Sequence, residues 1–303
     1  MDEKLIKVEH LVLSEGTGQR IDAYLSSVYP EIPRTLIKKY QDFLFLNGKK
    51  VKLSAKMKEN DRILFSYKKE IEVKNLTQEE MDIPIVFEDD YLIVVNKPAG
   101  MVVHPAKGNW SGTLINGLYS HLNIEAQEGD LRPGIVHRLD KETSGLLLIA
   151  KDRETQEKLS QEFKERTIIK IYHALVWGFM RNSSGMIDLP IARHPKERKK
   201  FHVSELGKES LTEYKVLKEF EKTSFLEIRL HTGRTHQIRV HLAHLGHPVV
   251  GDKIYSRRAF QDPMCLNASR LEFLHPVTGK KVSFEVPLPE DFQKTMESKI
   301  KSS

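Results

Sequence analysis

The chain has 303 residues, enough for two domains at roughly 150 residues each. Its 48 Lys and Arg against 42 Asp and Glu give a net charge of +6, and 39% hydrophobic residues is too apolar a mixture for a disordered chain. The longest apolar run, Gly145 to Ala150, is far short of the ~18 residues of a membrane helix. The N-terminus M-D-E-K lacks the apolar stretch of a secretory signal, and the single cysteine, Cys265, excludes an intrachain disulfide and a cysteine-based zinc site. The expectation is a cytoplasmic protein without a membrane partner.

The charge is unevenly spread. Residues 1–33 carry three Lys/Arg and six acids, 34–69 eleven Lys/Arg and three acids, and 70–82 one lysine and five acids. A basic block of net +8 is thus framed by acidic flanks, and such a block binds phosphate backbones by releasing counterions. Charge alone equally describes a solvated lysine face; the pattern inside the block is more informative. Ile21, Tyr24, Leu25 and Val28 fall on one helical stripe. Pro33 opens a second helix that turns Leu36, Ile37 and Tyr40 inward and leaves Arg34, Lys38 and Lys39 outside. The run Phe43 to Leu46 precedes Asn47-Gly48, a hairpin signal, and a return strand from Lys49 to Leu53. Arg62 to Phe65 then closes a small sheet. The segments R-I-D-A-Y-L-S, R-T-L-I-K-K-Y, F-L-N-G-K-K-V and K-E-N-D-R-I resemble the small RNA-binding domain of the ribosomal-protein-S-four type over residues 19–67. That resemblance implies RNA contacts for Arg34, Lys38, Lys39, Lys49 and Lys50. Gln41-Asp42-Phe43 departs from it, because the family more often carries a glycine there.

Residues 70–82 read as a linker, and a new pattern starts at Ile83. Ile85 to Phe87 and Tyr91 to Val95 are strand-like around an acidic turn. The segment Gly134 to Gly145 places His137, Arg138, Asp140 and Lys141 in one polar loop ahead of an apolar strand. An acid crowded by cations is favoured in its ionised form, which suits a nucleophile or a base; an Asp–Arg pair pinning a structural loop fits equally well. Asp152 predicts an N-cap for a helix through Arg166, and residues 168–178 a strand with Tyr172, Ala174 and Val176 on one side. Residues 191–201 hold five cations and one acid without a helical stripe, and read as an exposed basic loop in which Arg198 and Lys199 are open to a phosphate backbone. Two further strands span 212–217 and 225–230. Thr235 predicts the cap of a helix ending at Gly246, with Ile238, Leu242 and Leu245 as its core stripe. His236 and Arg239 lie on another face, so Arg239 can point into a cleft. Five histidines between His231 and His247 invite a metal, but their spacing supplies no set of ligands; polar or nucleic-acid contacts, with Arg234 and His236 among them, fit better.

The segments H-R-L-D-K-E-T-S-G-L-L-L-I-A-K, K-I-Y-H-A-L-V-W-G and L-H-T-G-R-T-H-Q-I-R-V-H-L-A-H-L-G-H-P-V-V-G-D closely resemble the RluA-type RNA pseudouridine synthases, in that family's order. With E-D-D-Y-L-I-V-V-N-K-P-A-G, R-H-P-K-E-R-K-K-F and the closing L-E-F-L-H-P-V-T-G-K-K, the resemblance spans about residues 18–292. It implies an α+β catalytic domain around a mixed, mainly antiparallel sheet, preceded by a small α/β RNA-binding domain. The expected division is 1–69 for the small domain, 70–82 for the linker, 83–293 for the catalytic domain and 294–303 for a tail.

By resemblance, Asp140 is the catalytic aspartate and Arg239 its partner. Tyr172 packs on the flipped base, and Arg138, with His137 beside it, contacts the RNA and fills the vacated space. The reaction breaks a glycosidic bond, turns the uracil and joins C5 to C1′, with no redox change, so no cofactor and no metal are expected. One carboxylate suffices, by covalent attack or by taking a sugar proton, because the leaving group is kept and no second acid must activate water. The implied partner is ribosomal RNA of the large subunit, as for members like RluC and RluD, with transfer RNA as the alternative and a monomer as the acting form. A ribosome-associated RNA-binding protein without catalysis is the rival reading, which the intact H-R-L-D opposes. Asn267 departs from the family, which usually has histidine there; it reads as a packing or polar-network variation. Cys265 reads as a small buried residue.

Overall fold

The computed structural model describes residues 3–70, 76–106, 108–124, 130–257 and 262–301. The chain divides into two compact units, 1–73 and 74–303.

The small unit contains β1 (Glu3–Leu11), α1 (Ile21–Val28), α2 (Arg34–Lys39), β2 (Leu44–Leu46), β3 (Lys49–Lys50) and β4 (Arg62–Glu70), with sheet order β1-β4-β2-β3. Its core joins Ile21, Tyr24 and Leu25 of α1 to Ile37, Leu44, Ile63 and Phe65. Val28, placed on the helix stripe, is instead exposed. Asn47 and Gly48 both have positive φ, the backbone a two-residue hairpin with twisted strands requires. The return strand is shorter than expected, since only Lys49 and Lys50 pair with β2. Strand β1 was not anticipated. It pairs antiparallel with β4 along its whole length, and its outer row of Leu5, Lys7, Glu9 and Leu11 is exposed. Gln41-Asp42-Phe43 forms a 3-10 turn.

The large unit is built on one sheet. Its elements are β5 (Ile85–Glu88), β6 (Leu92–Lys97), α3 (Leu114–Leu118), β7 (Ser144–Ala150), α4 (Arg153–Glu165), β8 (Ile169–Trp177), β9 (Ser184–Asp188), β10 (Ile191–Arg193), β11 (Phe201–Val203), β12 (Leu211–Glu219), β13 (Thr223–Leu230), α5 (Gln237–His244), β14 (Leu266–Leu274), β15 (Lys281–Glu285) and α6 (Glu290–Lys301). The sheet order is β5-β6-β7-β14-β8-β13-β12-β9, with β15 beside β14; β7 and β14 are parallel and the other pairs antiparallel. The apolar runs are continuous because both faces are covered. Leu147 and Ile149 join Ile93, Val95 and Leu242 in one core, while Leu146 and Leu148 join Leu92, Val94 and Leu159 in another.

Four expectations change here. Strand β4 runs on to Glu70, and Leu76 and Ile83 pack into the large unit's core, so much of the expected linker 70–82 is structured; residues 71–75 lie outside the described residues. The expected tail 294–303 begins inside α6, whose Phe292 and Thr295 are buried. The basic loop 191–201 is flanked by a ribbon, β10 paired with β11, leaving 194–200 as its loop. Helix α5 is entered through His236 in the left-handed conformation rather than capped by Thr235, and Leu245 is exposed. Helix α4 starts as expected, with the Thr155 amide donating to Asp152 at 2.8 Å.

Gly145 carries the tightest contact at the parallel pair. Its φ is +110°, and a Cβ there would lie 2.2 Å from the Ala268 carbonyl oxygen. Gly145→Ala is therefore expected to cost about 3 kcal/mol, as strain and overpacking together, measured by urea unfolding.

Candidate active site

Residues 134–143 enter β7 through Gly145, and several elements hold them in place. The Lys97 ammonium at the end of β6 is fully buried and donates to the carbonyls of Pro98 (2.8 Å), Met101 (3.0 Å) and Lys141 (3.2 Å). Burial pushes it down to about 8, against the pull of Asp140 and Glu142. The Gly100 amide donates to the same Lys141 carbonyl, and Ser144 Oγ donates to Asn267 Oδ1 at 2.8 Å. Asn267 is thus part of a buried polar contact between the two parallel strands, as its sequence position suggested.

On this loop Asp140 presents its carboxylate to a cleft of about 430 Å³. Arg239 Nη1 donates to Asp140 Oδ2 at 3.1 Å. The other side of the guanidinium is held by Asp252, which accepts from Nε at 2.7 Å and Nη2 at 2.9 Å, and from the amides of Ile254 and Tyr255. Burial works against both charges, but the pairing outweighs it: Asp252 lies below the ordinary carboxylate range and Arg239 above its ordinary value. The entry to α5 is shaped by Gln237, whose Oε1 accepts from Thr232 Oγ1 and the Arg234 amide while Nε2 donates to Leu211 and Thr212. This side chain holds the loop before the helix, and no side chain caps the helix itself.

Tyr172 on β8 forms another wall of the cleft and is 6% exposed. Burial and the nearby Asp140 charge push its phenol well above the usual range, so it carries its proton at neutral pH. Arg138 lines the same cleft and is exposed. Asp140 is the one acid among the described lining residues, while Glu142 turns to solvent.

His137 lines the cleft but spends one ring nitrogen on the fold. Its Nε2 accepts the Leu148 amide at 2.9 Å, its ring stacks on Phe163 at 4.5 Å between centroids, and burial pushes it down to about 3. It braces the loop as a neutral ring. His236 lies 3.9 Å from Asp140, and its Nδ1 hydrogen-bonds with the Tyr255 hydroxyl at 2.8 Å. The Phe201 amide also donates to that hydroxyl, tying the β10–β11 ribbon to the site. Arg234 is exposed on the cleft rim, and Arg198 and Lys199 are exposed on the loop 194–200.

Of the histidines that suggested a metal, His231 meets Glu213, His236 meets Tyr255, His241 meets Thr212 and the Leu189 carbonyl, His247 meets the Trp177 carbonyl, and His244 is exposed. No group of three metal-ligating side chains converges among the described residues. In the small unit, Arg34 is committed to buried Asp22 at 2.7 Å and Lys50 pairs with Asp42 at 2.6 Å, whereas Lys38 and Lys49 are exposed. Sequence reasoning missed the roles of Asp252 and Lys97, although both lie in segments it quoted.

A family model described as RNA pseudouridylate synthase matches residues 91–244. An uncharacterized RNA pseudouridine synthase of Aquifex aeolicus is 43% identical, covering 92% of this chain and 93% of that protein. A ribosomal large subunit pseudouridine synthase D of Pasteurella multocida is 38% identical, covering 93% and 91%. Among solved structures, human RNA pseudouridylate synthase domain containing 1 matches with a TM-score of 0.56 and 26% identity, over 73% of this chain and 96% of that one. Fold, site and relatives define an isomerase of uridine in RNA. The chain belongs to the RluA family of RNA pseudouridine synthases.

Asp252→Ala leaves Arg239 buried with a single carboxylate. Urea unfolding is expected to show a loss of about 3–5 kcal/mol, the cost of breaking a buried pair by removing one partner.

Proposed function

We propose that this enzyme isomerises uridines of large-subunit ribosomal RNA, with Asp140 acting at the sugar. The observation that carries the reading is the Asp140 carboxylate, fixed by Arg239 in a cleft where it is the one acid among the described lining residues. The target base must first leave its stack, at a cost of a few kcal/mol. Arg138, exposed beside the cleft, fills the space left behind. The uracil then lies on the Tyr172 ring, whose retained phenolic proton makes it a hydrogen-bond donor. Asp140 accepts one hydrogen bond from Arg239 and keeps lone pairs for C1′ or for a sugar proton, and Arg239 stabilises the charge in either case. The uracil stays in the closed cleft, turns and rejoins through C5, so no water needs activation.

The ribosomal substrate follows from the relatives named for the large subunit, including those of Pasteurella multocida and Pseudomonas aeruginosa. An enzyme on that substrate works in the cytoplasm as part of ribosome biogenesis, and one chain carries every residue the reaction uses. The small unit supplies affinity through its exposed lysines, and Arg198, Lys199, Arg234 and His236 add contacts around the cleft.

Mapping pseudouridines in cells lacking the protein, complemented with wild type or Asp140→Asn, tests the reading. Positions in large-subunit RNA should vanish on deletion and return only with wild type. Loss confined to transfer RNA would reassign the substrate, and full turnover by the variant would remove Asp140 from the chemistry. Replacing Lys38, Lys39 and Lys49 together by Gln should leave kcat unchanged and flatten the salt dependence of RNA binding by about 2 in log–log slope; an unchanged slope would exclude that face.

A further inference from the structure

The chemistry above leaves one buried cation of the cleft without a task. Lys170 on β8 lies two residues before Tyr172, lines the same cleft and is 8% exposed. Its ammonium sits 5.5 Å from the centre of the Phe163 ring. Among the described residues it meets no carboxylate and makes no hydrogen bond. Its stem is buried while the ammonium faces the cleft, and proteins normally pair a largely desolvated cation with an anion. Here its charged neighbour is another cation, Arg166, and burial together with that charge pushes the ammonium down to about 8. An anion entering the cleft therefore meets an ammonium without a countercharge.

Lys164 and Arg166, at the end of α4, line the cleft with Lys170; Arg166 also pairs with the exposed Glu209 carboxylate at 3.2 Å, and Arg234 donates to the Glu209 carbonyl. Arg166 occupies a left-handed helix end with φ +63°, where glycine is the usual residue. The other group beside Phe163, His137, is neutral, so it offers Lys170 no countercharge.

We propose that Lys170, with Arg166 and Lys164 at its rim, forms an anion subsite that takes a backbone phosphodiester of the RNA strand next to the nucleotide held at Asp140. The proposal rests on the RNA-isomerase reading and adds a contact to it. Phosphate is the fitting anion because a compact ammonium matches a point charge, and a strand entering the cleft must bring its backbone with it.

The test uses a stem-loop RNA that the wild-type enzyme converts, with the variants Lys170→Met, Lys170→Arg and Arg166→Gly. Lys170→Met keeps the apolar stem and removes the charge. It should raise KM about tenfold, leave kcat within twofold and flatten the salt dependence of binding by about one in log–log slope. Lys170→Arg should restore the slope. Arg166→Gly should melt no lower than wild type, since glycine suits the helix end, yet raise KM several-fold. A neutral methylphosphonate at a linkage flanking the target uridine should weaken wild type and add nothing to Lys170→Met. Wild-type KM and salt slope in Lys170→Met, or additive penalties at every flanking linkage, would overturn the subsite while leaving the enzyme assignment intact. An inactive wild type on ribosomal and transfer RNA would instead overturn the function itself.

Discussion

The large unit turns on a buried guanidinium between two carboxylates. Arg239 is 4% exposed and could not stay there unpaired, because desolvating a cation costs several kcal/mol. Its two partners are unequal. Asp252 takes Nε and Nη2 as a bidentate pair and also accepts two backbone amides, so its lone pairs are spent. Asp140 receives a single N–H at 3.1 Å and faces the cleft. One acid is thereby structural and the other is left with capacity for chemistry. The asymmetry also fixes orientation: a planar fork clamped on one side by Asp252 can offer Nη1 to Asp140 in only one direction.

A fixed arginine would be of little use beside a loose aspartate, and the chain around Asp140 is held accordingly. Lys97 and Gly100 converge on the Lys141 carbonyl, Thr143 donates to the Asp140 carbonyl, and Gly145 drops the chain against Ala268 with no room for a side chain. His137 accepts a β7 amide from its place against Phe163. These restraints come from β6, β7, β14 and α4, all rigid elements, and together they explain why so polar a segment sits at the edge of an apolar core. Lys97 is satisfied by backbone carbonyls and Ser144 by Asn267 Oδ1, which is what permits them to be there, while Asn267 Nδ2 is left without a partner among the described residues.

Much of this was legible in the sequence where a local rule applied. The runs read as strands at 91–95, 145–150 and 168–178 fall largely in the sheet, Asp152 caps its helix, and helical spacing put Arg239 on a face separate from Ile238 and Leu242. The pairing of Asp140 with Arg239 was not local: it spans 99 residues and was available only through family resemblance. Asp252 carried no signal of its own, because a bidentate clamp leaves no periodicity. Thr235 failed as a cap because the chain enters the helix through His236 in the left-handed turn, with no side-chain cap, while Gln237 holds the preceding loop. Strand β1 was missed because its charged alternate positions, suited to an exposed sheet edge, also look like a polar leader. The bracing role of His137 was not legible either, because its contacts with Leu148 and Phe163 join residues 11 and 26 positions away.

The same accounting separates the cations by what they can do. Arg239 is spent on two acids and Lys97 on three carbonyls, and neither is available to an RNA backbone without dismantling the fold; Arg34 and Arg20 pair with buried Asp22 but keep about half of each side chain exposed. Arg138, Arg198 and Lys199 are exposed and add screened, salt-sensitive attraction. Lys170 belongs to neither group, being buried like the first and uncommitted like the second. Acids sort in the same way, with Asp252 locked, Glu142 in solvent and Asp140 alone facing the cleft. A hydrolytic site that cleaves a glycosidic bond needs a second carboxyl group, ~5–9.5 Å from the first, to supply a nucleophile or activate water. The described lining of this cleft offers cations in that role's place, an arrangement suited to gripping a polyanion while one carboxylate works on a sugar whose base never leaves.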